Sequence, residues 1–326
     1  WNINHTANLI VETCLRVKPK DTVLIVASSD EEIQIGSALA GICRIAGAET
    51  GLAVVEPPRL KHEPPDFLAA AMQRVTHIIT IGQAEFGHTQ ARKSASNNGV
   101  NYAYIPDLMN EELLTLDVKP PGLLSANSLT EEIAEAVSGA AMVRITSPAG
   151  TDIEVPVEGR RGLPLHPIYE RPGHFAIVPF YYEVACPPLE GRANGTVVVD
   201  GTVVGLPPLN GVLSEPLRWQ VENGKVVDIQ GGRQARLLLQ LLTRAGENAD
   251  CLAEIGIGSN DKMLDVLRGN RLDNAIFGHI HLALGRNTDL GGVQMSSVHA
   301  DFLVTNATVT LDGRRIIEAG KYQKLS

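Results

Sequence analysis

The sequence predicts an α/β amino-terminal domain with a doubly wound parallel sheet, followed by a mostly antiparallel β domain of the α+β class. Between Asp21 and Gly82, apolar runs of four or five residues alternate with amphipathic segments of about 15 residues. From Val143 onward, short β-branched runs are separated by Gly, Pro and Asn turns. The pattern changes near residue 140. We therefore predict domains at residues 1–140 and 141–326.

The first half is predicted to contain three strands and two helices in alternation. The strands are DTVLIVASS, AETGLAVVE and THIITIG, and the helices are EEIQIGSALAGICRIAG and a segment around PDFLAAAMQR. Parallel strands that are covered by helices on both faces have this pattern. The first strand-to-helix turn, ASSDEEIQIG, has neither a GxGxxG motif nor a Walker lysine. A nucleotide site is therefore not expected there.

The second half is introduced by a helix in LTEEIAEAVSGAA, for which Ser128 and Glu131 have the spacing of a capping box. A longer helix is predicted in GRQARLLLQLLTRAG. The predicted strands include VRITS, DIEVPV, HFAIVPFYYEV, GTVVVDGTVVG, LRWQVENGKVVDIQGG, CLAEIGIG and AIFGHIHLALG. Their short length and the turn residues between them indicate a mostly antiparallel sheet.

Composition excludes several classes of partner. The net charge is −9 and the Lys and Arg residues are scattered, so a nucleic-acid interface is not expected. No apolar stretch reaches the roughly 18 residues of a membrane helix. The four cysteines lie far apart with no CxxC pair, which argues against a disulfide framework and a zinc-thiolate site. We therefore expect a cytoplasmic protein.

Histidine and acidic residues recur at strand spacing in the last third of the chain. His299 and Asp301 are two residues apart in VHADFLV and project from the same face, as do His279 and His281 in FGHIHLALG. Glu254 lies within an apolar run, where a carboxylate is costly to bury without a cation. Two imidazoles with three carboxylates suit zinc, cobalt, manganese or iron, whereas two histidines with one carboxylate suit a single Fe(II).

Four ordered motifs resemble those of the thermophilic aminopeptidase T family of metallopeptidases. They are EVACPP (183–188), AEIGIG (253–258), HLALG (281–285) and SSVHADFL (296–303), and the GTDIEVPV strand (150–157) adds to the resemblance. The resemblance implies a homodimer or higher homo-oligomer with two divalent ions per site, zinc, cobalt or manganese. The implied ligands are Glu183, Glu254, His281, His299 and Asp301. It also makes Glu183 or Glu254 the candidate base for an attacking water.

The chain departs from the family's peptidases at one position. Thr288 stands where they have a tyrosine, seven residues after His281. The chain is similar in length to the family's shorter branch, which includes the 2,5-dihydroxypyridine dioxygenases with mononuclear iron. In those enzymes we expect a histidine at the position of Glu254 and no histidine at that of His281. Ligand identity therefore groups this chain with the hydrolases.

The leading prediction is a metal-dependent, aminopeptidase-like hydrolase of an amide or peptide bond in a small molecule or short peptide. Metal would lower the pKa of a bound water, and Glu183 or Glu254 would carry its proton to the leaving nitrogen. The alternative is an Fe(II)-dependent ring-opening dioxygenase acting on a hydroxylated N-heterocycle such as 2,5-dihydroxypyridine. A third hypothesis is a metal-free binding module with structural histidines.

Possible substrate-binding residues lie in the loop GRRGLPLHPIYERPGHF. It carries Arg171 and His174 together with Arg160, Arg161, His166 and Tyr169. Arginine matches a substrate carboxylate with two parallel hydrogen bonds, but a solvated basic loop would have the same composition. We predict Arg171, His174 and His279 as substrate contacts. His88 and Arg92 are weaker candidates for the same role.

Overall fold

The computed structural model describes residues 3–56, 63–87, 89–106, 120–261 and 265–323. By their internal contacts the residues form two units. The first unit is Trp1–Leu124 with Leu165–Tyr181, and the second is Ser125–Pro164 with Tyr182–Ser326. The domain limits predicted at residues 140 and 141 stay a prediction. Among the described helices, none combines the length and the apolar character that crossing a bilayer requires.

The first unit is built on a parallel sheet, as the sequence predicts. Its strands are β1 (Thr22–Ala27), β2 (Glu49–Val54), β3 (His77–Ile81), β4 (Asn101–Ile105) and β8 (Phe175–Ile177), in the order β2-β1-β3-β4-β8. Its helical segments are α1 (Ile3–Asn8), a π-helix (Leu9–Cys14), α2 (Asp30–Ile45), α3 (Asp66–Met72) and α4 (Gln90–Asn97). Ser29 and Thr89 cap α2 and α4 by accepting hydrogen bonds from backbone amides. The predicted α/β class is confirmed.

A buried glutamate lies where β1 leads into α2. Glu32 accepts hydrogen bonds from the backbone amides of Ser28, at 2.6 Å, and Gln83, at 2.9 Å. In doubly wound sheets, backbone amides at the carboxyl ends of the strands commonly bind ligand phosphates. Here the chain's own carboxylate engages these two amides.

The second unit contains two antiparallel sheets. The strands of the eight-stranded sheet are β5 (Met142–Thr146), β6 (Asp152–Pro156), β10 (Asn194–Val199), β13 (Leu217–Glu222), β14 (Lys225–Gln230), β18 (Thr308–Leu311), β19 (Arg314–Glu318) and β20 (Lys321–Tyr322). Those of the seven-stranded sheet are β7 (Leu163–Leu165), β9 (Glu183–Cys186), β11 (Thr202–Val204), β12 (Gly211–Val212), β15 (Leu252–Gly258), β16 (Ile280–Gly285) and β17 (His299–Val304). The order in the first sheet is β14-β13-β10-β6-β5-β18-β19-β20, and the order in the second is β12-β11-β17-β16-β15-β9-β7. The predicted antiparallel class is confirmed.

One hydrophobic core joins the two sheets of the second unit. Trp219 of β13 packs edge-to-face on Phe302 of β17, with ring centroids 4.6 Å apart. Helices α5 (Pro120–Ser138) and α6 (Arg233–Ala245) add apolar side chains such as Ile133 and Leu238 to the same core. The core thus covers one face of the seven-stranded sheet with apolar side chains.

Helix α5 begins earlier than the capping box predicts. Ser128 lies inside the helix rather than at its start. The buried positions Leu123, Ala126, Thr130 and Ile133 continue the helical spacing on both sides of Ser128. Proline is well tolerated in a first helical turn, so the helix can start at Pro120.

Candidate metal centre

The five predicted ligands come together on four neighbouring strands of the second unit. Glu183 begins β9, Glu254 lies in β15, His281 lies in β16, and His299 and Asp301 lie in β17. These strands are adjacent in the order β17-β16-β15-β9. The motifs far apart in sequence are therefore side by side in the sheet.

Strand register places the five side chains on one face. Ala283 is paired with both Glu254 and Asp301, His281 is paired with Gly256, and Gly258 with Glu183. Residues paired across a sheet point to the same side, and alternate residues along a strand do so too. The intervening residues point into the core; they include Val184, Ile255, Ile257, Leu282, Leu284, Ala300 and Phe302. The sheet thus has an apolar core face and a face that carries the five predicted ligands.

Small residues leave space for the ligands on that face. A Cβ added at Gly256 would lie 1.8 Å from Cε1 of His281, so only glycine accommodates the imidazole there. At Gly258 an added Cβ would lie 2.1 Å from the carbonyl oxygen of Ile276. Both glycines of the AEIGIG motif are therefore required by close contacts, Gly256 with the ring of His281 and Gly258 with the backbone at Ile276.

The ligand atoms form two overlapping groups. Nε2 of His299 lies 3.0 Å from Oε2 of Glu254 and 3.3 Å from Oδ1 of Asp301. Nε2 of His281 lies 3.5 Å from Oε1 of Glu254 and 3.9 Å from Oε1 of Glu183. In each group of three residues, the ligand atoms lie within 4.8 Å of one another, and Glu254 belongs to both groups.

Burial and opposite charges shift the pKa values in this cluster in opposing directions. Burial favours the neutral imidazole, but the surrounding carboxylates, above all that of Glu183, raise the pKa of His281 to about 9. The pKa of His299 is also raised, because Asp301 and Glu254 outweigh burial. Hydrogen bonds from both imidazoles overcome burial and lower the pKa of Glu254 to about 2. Without metal, imidazolium protons compensate the buried carboxylates, and a divalent cation can take over that role.

Two contacts prepare the cluster for a cation. Nδ1 of His299 lies 2.6 Å from the carbonyl oxygen of Arg286, which can only accept, so Nδ1 carries the proton. Nε2 of the neutral ring is then available as a ligand. Oδ2 of Asp301 accepts a hydrogen bond from Asn274, whereas its buried Oδ1 has no hydrogen-bond partner among the described residues. These buried residues fit a divalent metal.

The predicted substrate residues lie in different places. His279 directly precedes β16, and its Nε2 lies 2.8 Å from Oδ1 of the exposed Asp265. His174 is buried in the first unit beside Tyr169 and His166, and burial lowers its pKa to about 4. Arg171 is exposed. The role of Arg171, His174 and His279 in substrate binding stays a prediction.

The other residues considered in the sequence analysis have local partners or lie outside the described residues. His88 is outside the described residues. Arg92 donates from Nε to the carbonyl oxygen of Gly87 at 2.6 Å. Thr288 lies half-buried in the turn that follows β16. In the basic loop, Arg160 forms an ion pair with Glu190.

Sequence reasoning missed Asn274 and the carbonyl group of Arg286. The only signal for Asn274 was a polar amide inside the otherwise apolar run NAIFG. No sequence signal could have found the carbonyl of Arg286, because every residue has one. Contacts of this kind are set by the fold.

Comparison with known proteins identifies a matching family and a curated relative. The family model for 2,5-dihydroxypyridine 5,6-dioxygenase matches residues 6–324. The 2,5-dihydroxypyridine 5,6-dioxygenase of Pseudomonas putida KT2440 is 25% identical over 223 residues, which cover 64% of this chain and 63% of that relative. The match therefore spans less than two thirds of that relative's length.

Two solved structures share the fold. The structure of 2,5-dihydroxypyridine dioxygenase from Pseudomonas putida KT2440 matches with a TM-score of 0.76 and 17% identity, covering 98% of this chain and 95% of that one. Wild-type AmpT from Thermus thermophilus matches with a TM-score of 0.73 and 18% identity, covering 99% of each chain. The predicted resemblance to both branches is confirmed at the level of the fold.

The predicted reaction class was wrong. The family model and the curated relative are dioxygenases, which overturns the leading prediction of a hydrolase, aminopeptidase or metalloprotease. The inference failed because imidazole and carboxylate ligands serve both hydrolytic and iron sites, so ligand identity did not separate the two reactions. The predicted pair of zinc, cobalt or manganese ions is not confirmed, and the homodimer and the cytoplasmic location stay predictions. The chain belongs to the 2,5-dihydroxypyridine 5,6-dioxygenase family.

Proposed function

We propose that this protein is a ring-opening dioxygenase that uses one Fe(II) ion and acts on a hydroxylated N-heterocycle such as 2,5-dihydroxypyridine. The observation that carries the proposal is the group formed by the buried Glu254 and Asp301 with the half-buried His299, in a chain that matches the dioxygenase family over residues 6–324. Imidazole and carboxylate are ligands that non-haem ferrous iron uses. The substrate is a small molecule.

The iron ligands in this proposal are Glu254, His299 and Asp301. Nε2 of His299 lies within 3.3 Å of one oxygen of each carboxylate, so the three ligand atoms can converge on one ion. Two carboxylates also offset the charge of a divalent cation in a buried site. A ferrous ion bound here would pass electrons from the ring to dioxygen, with no net change in its own oxidation state.

His281 and Glu183 have a different role in the proposal. Nε2 of His281 contacts Oε1 of Glu254, the oxygen turned away from His299, and so holds Glu254 in its orientation. Oε1 of Glu183 lies 3.9 Å from the same Nε2. Glu183 therefore offers a carboxylate, beside His281, that can accept a proton from a ring hydroxyl and hold it.

The overall reaction needs only the ring and dioxygen as reactants. The bond between ring carbons 5 and 6 breaks, and both atoms of dioxygen enter the product. No external reductant is needed because the ring itself is oxidised. The apolar core face behind the ligands keeps water away from one side of the site.

The test is oxygen uptake by protein loaded with a defined metal. Protein purified without chelator is analysed for metal, then stripped and reloaded anaerobically with Fe(II) or with Zn(II). We expect about one iron per chain, and one dioxygen consumed per 2,5-dihydroxypyridine lost, only with Fe(II). Turnover supported equally by zinc, or no oxygen uptake by the iron-loaded protein with any hydroxypyridine, would overturn the proposal.

Matched variants connect that activity to the cluster. Asp301→Asn keeps the size of the ligand but removes its charge, and we expect it to lose iron and oxygen uptake together. Asp228→Asn makes the same change on the exposed face of β14, and we expect wild-type iron content and activity. Equal activity of the two variants would contradict the assignment of Asp301.

A further inference from the structure

Asn274 is a buried amide next to the ligand cluster. It lies in the 3₁₀ helix Arg271–Ala275 of the second unit, and only 1% of its surface is exposed. Its Nδ2 donates a hydrogen bond to Oδ2 of Asp301 at 2.8 Å. Asn274 therefore contacts a proposed ligand through the oxygen that is turned away from His299.

The segment that carries Asn274 is tightly anchored. Asp273, which is fully buried, accepts hydrogen bonds from Oγ1 of Thr202 at 2.6 Å and from the amide of Gly269 at 2.7 Å. On the other side, a Cβ at Gly258 would lie 2.7 Å from the carbonyl oxygen of Asn274. The glycine in β15 thus permits a close approach, and the anchored turn presents the amide in one position.

The amide differentiates the two oxygens of Asp301. Oδ2 is engaged by Asn274, whereas Oδ1 lies 3.3 Å from Nε2 of His299 and has no hydrogen-bond partner among the described residues. An amide NH₂ group can only donate, so the contact favours an ionised carboxylate. Rotation of the carboxylate would break this bond and leave a buried donor unsatisfied, which is costly.

We propose that Asn274 is a positioning residue that fixes Asp301 as a ligand through Oδ1 alone. The inference rests on the proposed metal site and adds to it the residue that sets how one ligand binds. Carboxylates in metal sites bind through one or two oxygens, and an outer hydrogen bond decides between these modes. Loss of the amide would free Oδ2 to rotate towards the ion, with a change in both affinity and coordination.

The experiment measures metal binding directly rather than activity. Metal-free wild-type protein, Asn274→Ala and Asn274→Asp are titrated anaerobically with Co(II) in competition with a chelator, and the visible spectrum of bound Co(II) is recorded. Outer-shell partners typically contribute about 10- to 100-fold to metal affinity. We expect a loss in this range for Asn274→Ala, at least as large for Asn274→Asp, and an altered Co(II) spectrum for both.

Thr305→Val is the matched control. Thr305 also donates from its side chain to a carboxylate oxygen, Oδ2 of Asp200 at 2.8 Å, in the same unit but outside the ligand cluster. We expect this variant to bind Co(II) with the wild-type affinity and spectrum even if it is less stable. A thermal melt of each metal-free variant separates loss of folding from loss of binding.

The possible results are distinguishable. Wild-type affinity and spectrum in both Asn274 variants would overturn the positioning role while leaving the metal site intact. A wild-type protein that binds no Co(II) or Fe(II) would overturn the proposed function and this inference together. An equal loss of affinity in Thr305→Val would assign the effect to general destabilisation and so reject the specific role of Asn274.

Discussion

Buried carboxylates occur in both units of the protein, but their partners differ. In the first unit, Glu32 accepts hydrogen bonds from two backbone amides, which satisfy one oxygen each. In the second unit, Glu254 and Asp301 face two histidines, and Oδ1 of Asp301 has no hydrogen-bond partner among the described residues. A buried acid that is satisfied by amides is typical of structure, whereas one with imidazole neighbours and an unsatisfied oxygen indicates a cation site.

The largest effect is expected from the carboxylate shared by both ligand groups. Glu254→Gln keeps the shape of the side chain but removes its charge. We therefore expect this variant to bind metal less than about one hundredth as tightly as the wild type does. Oxygen uptake should fall below detection. Metal titration and circular dichroism measure affinity and folding on the same sample.

The control for Glu254→Gln is Glu222→Gln. This glutamate is exposed on β13, and the same substitution there should leave metal content unchanged. A folded Glu254→Gln protein with wild-type metal content would show that Glu254, like Glu32, does not bind metal.

A second effect is expected from the glycine beneath an imidazole. In Gly256→Ala, the new methyl group would overlap the ring of His281 and force it out of position. Since His281 holds Glu254, we expect metal affinity to fall by about tenfold or more. Gly51→Ala is the control, because a Cβ at that strand position meets nothing within 4 Å. If both substitutions left metal affinity unchanged, the close fit around His281 would not matter for binding.

Substitution of Glu32, the buried carboxylate of the first unit, should change stability and leave metal binding unaltered. Glu32→Gln replaces one acceptor oxygen by a donor that faces a backbone amide, and we expect a loss of about 1–3 kcal/mol in the free energy of unfolding. Metal affinity should not change. Glu31→Gln alters the exposed neighbour in α2 and should have little effect on either quantity. Chemical denaturation measures the free energy of unfolding, and metal titration measures the affinity. Loss of metal in Glu32→Gln would contradict a purely structural role for Glu32.

The sequence predicted some of these features better than others. The spacing of His299 and Asp301 on one strand and the apolar run around Glu254 sufficed to predict a shared cation site, because strand geometry alone puts alternate residues on one face. The parallel sheet was predictable from the alternation of continuous apolar runs with amphipathic segments. The start of α5 was missed because a capping motif at Ser128 is local, whereas the buried positions before it depend on tertiary packing.

Sequence patterns of this kind could not predict the reaction class. The five predicted ligands are chemically compatible with more than one metal and with both hydrolysis and oxygen chemistry. How Asp301 and His299 are held depends on contacts such as Asn274 with Asp301 and His299 with the carbonyl of Arg286. Those partners come from turns with no motif of their own.

The smallest expected effect is a dependence of metal-free stability on pH. The pKa of His281 is raised to about 9 in the folded protein because its charged form is stabilised by carboxylates. A raised pKa of this kind contributes stability that is complete below pH 6.5 and is lost as pH rises through about 9. We therefore expect the Tm of metal-free protein to fall by a few degrees between pH 6.5 and 9.

Metal should reverse this trend, and that reversal is the most specific sign that cation and protons share one site. An ion bound by His299 displaces the proton of that ring, and its positive charge disfavours the proton on the neighbouring His281. Its affinity should therefore increase over the same pH range, and metal-loaded protein should lose less stability than metal-free protein. Scanning calorimetry of both forms at pH 6.5, 7.5 and 9 measures the difference. Glu32→Gln should show the same pH trend as the wild type, since no imidazole contributes to its hydrogen bonds. Parallel curves for the two forms would mean that the imidazolium protons and the metal do not compete, and the comparison between the two buried carboxylates would then lose its electrostatic basis.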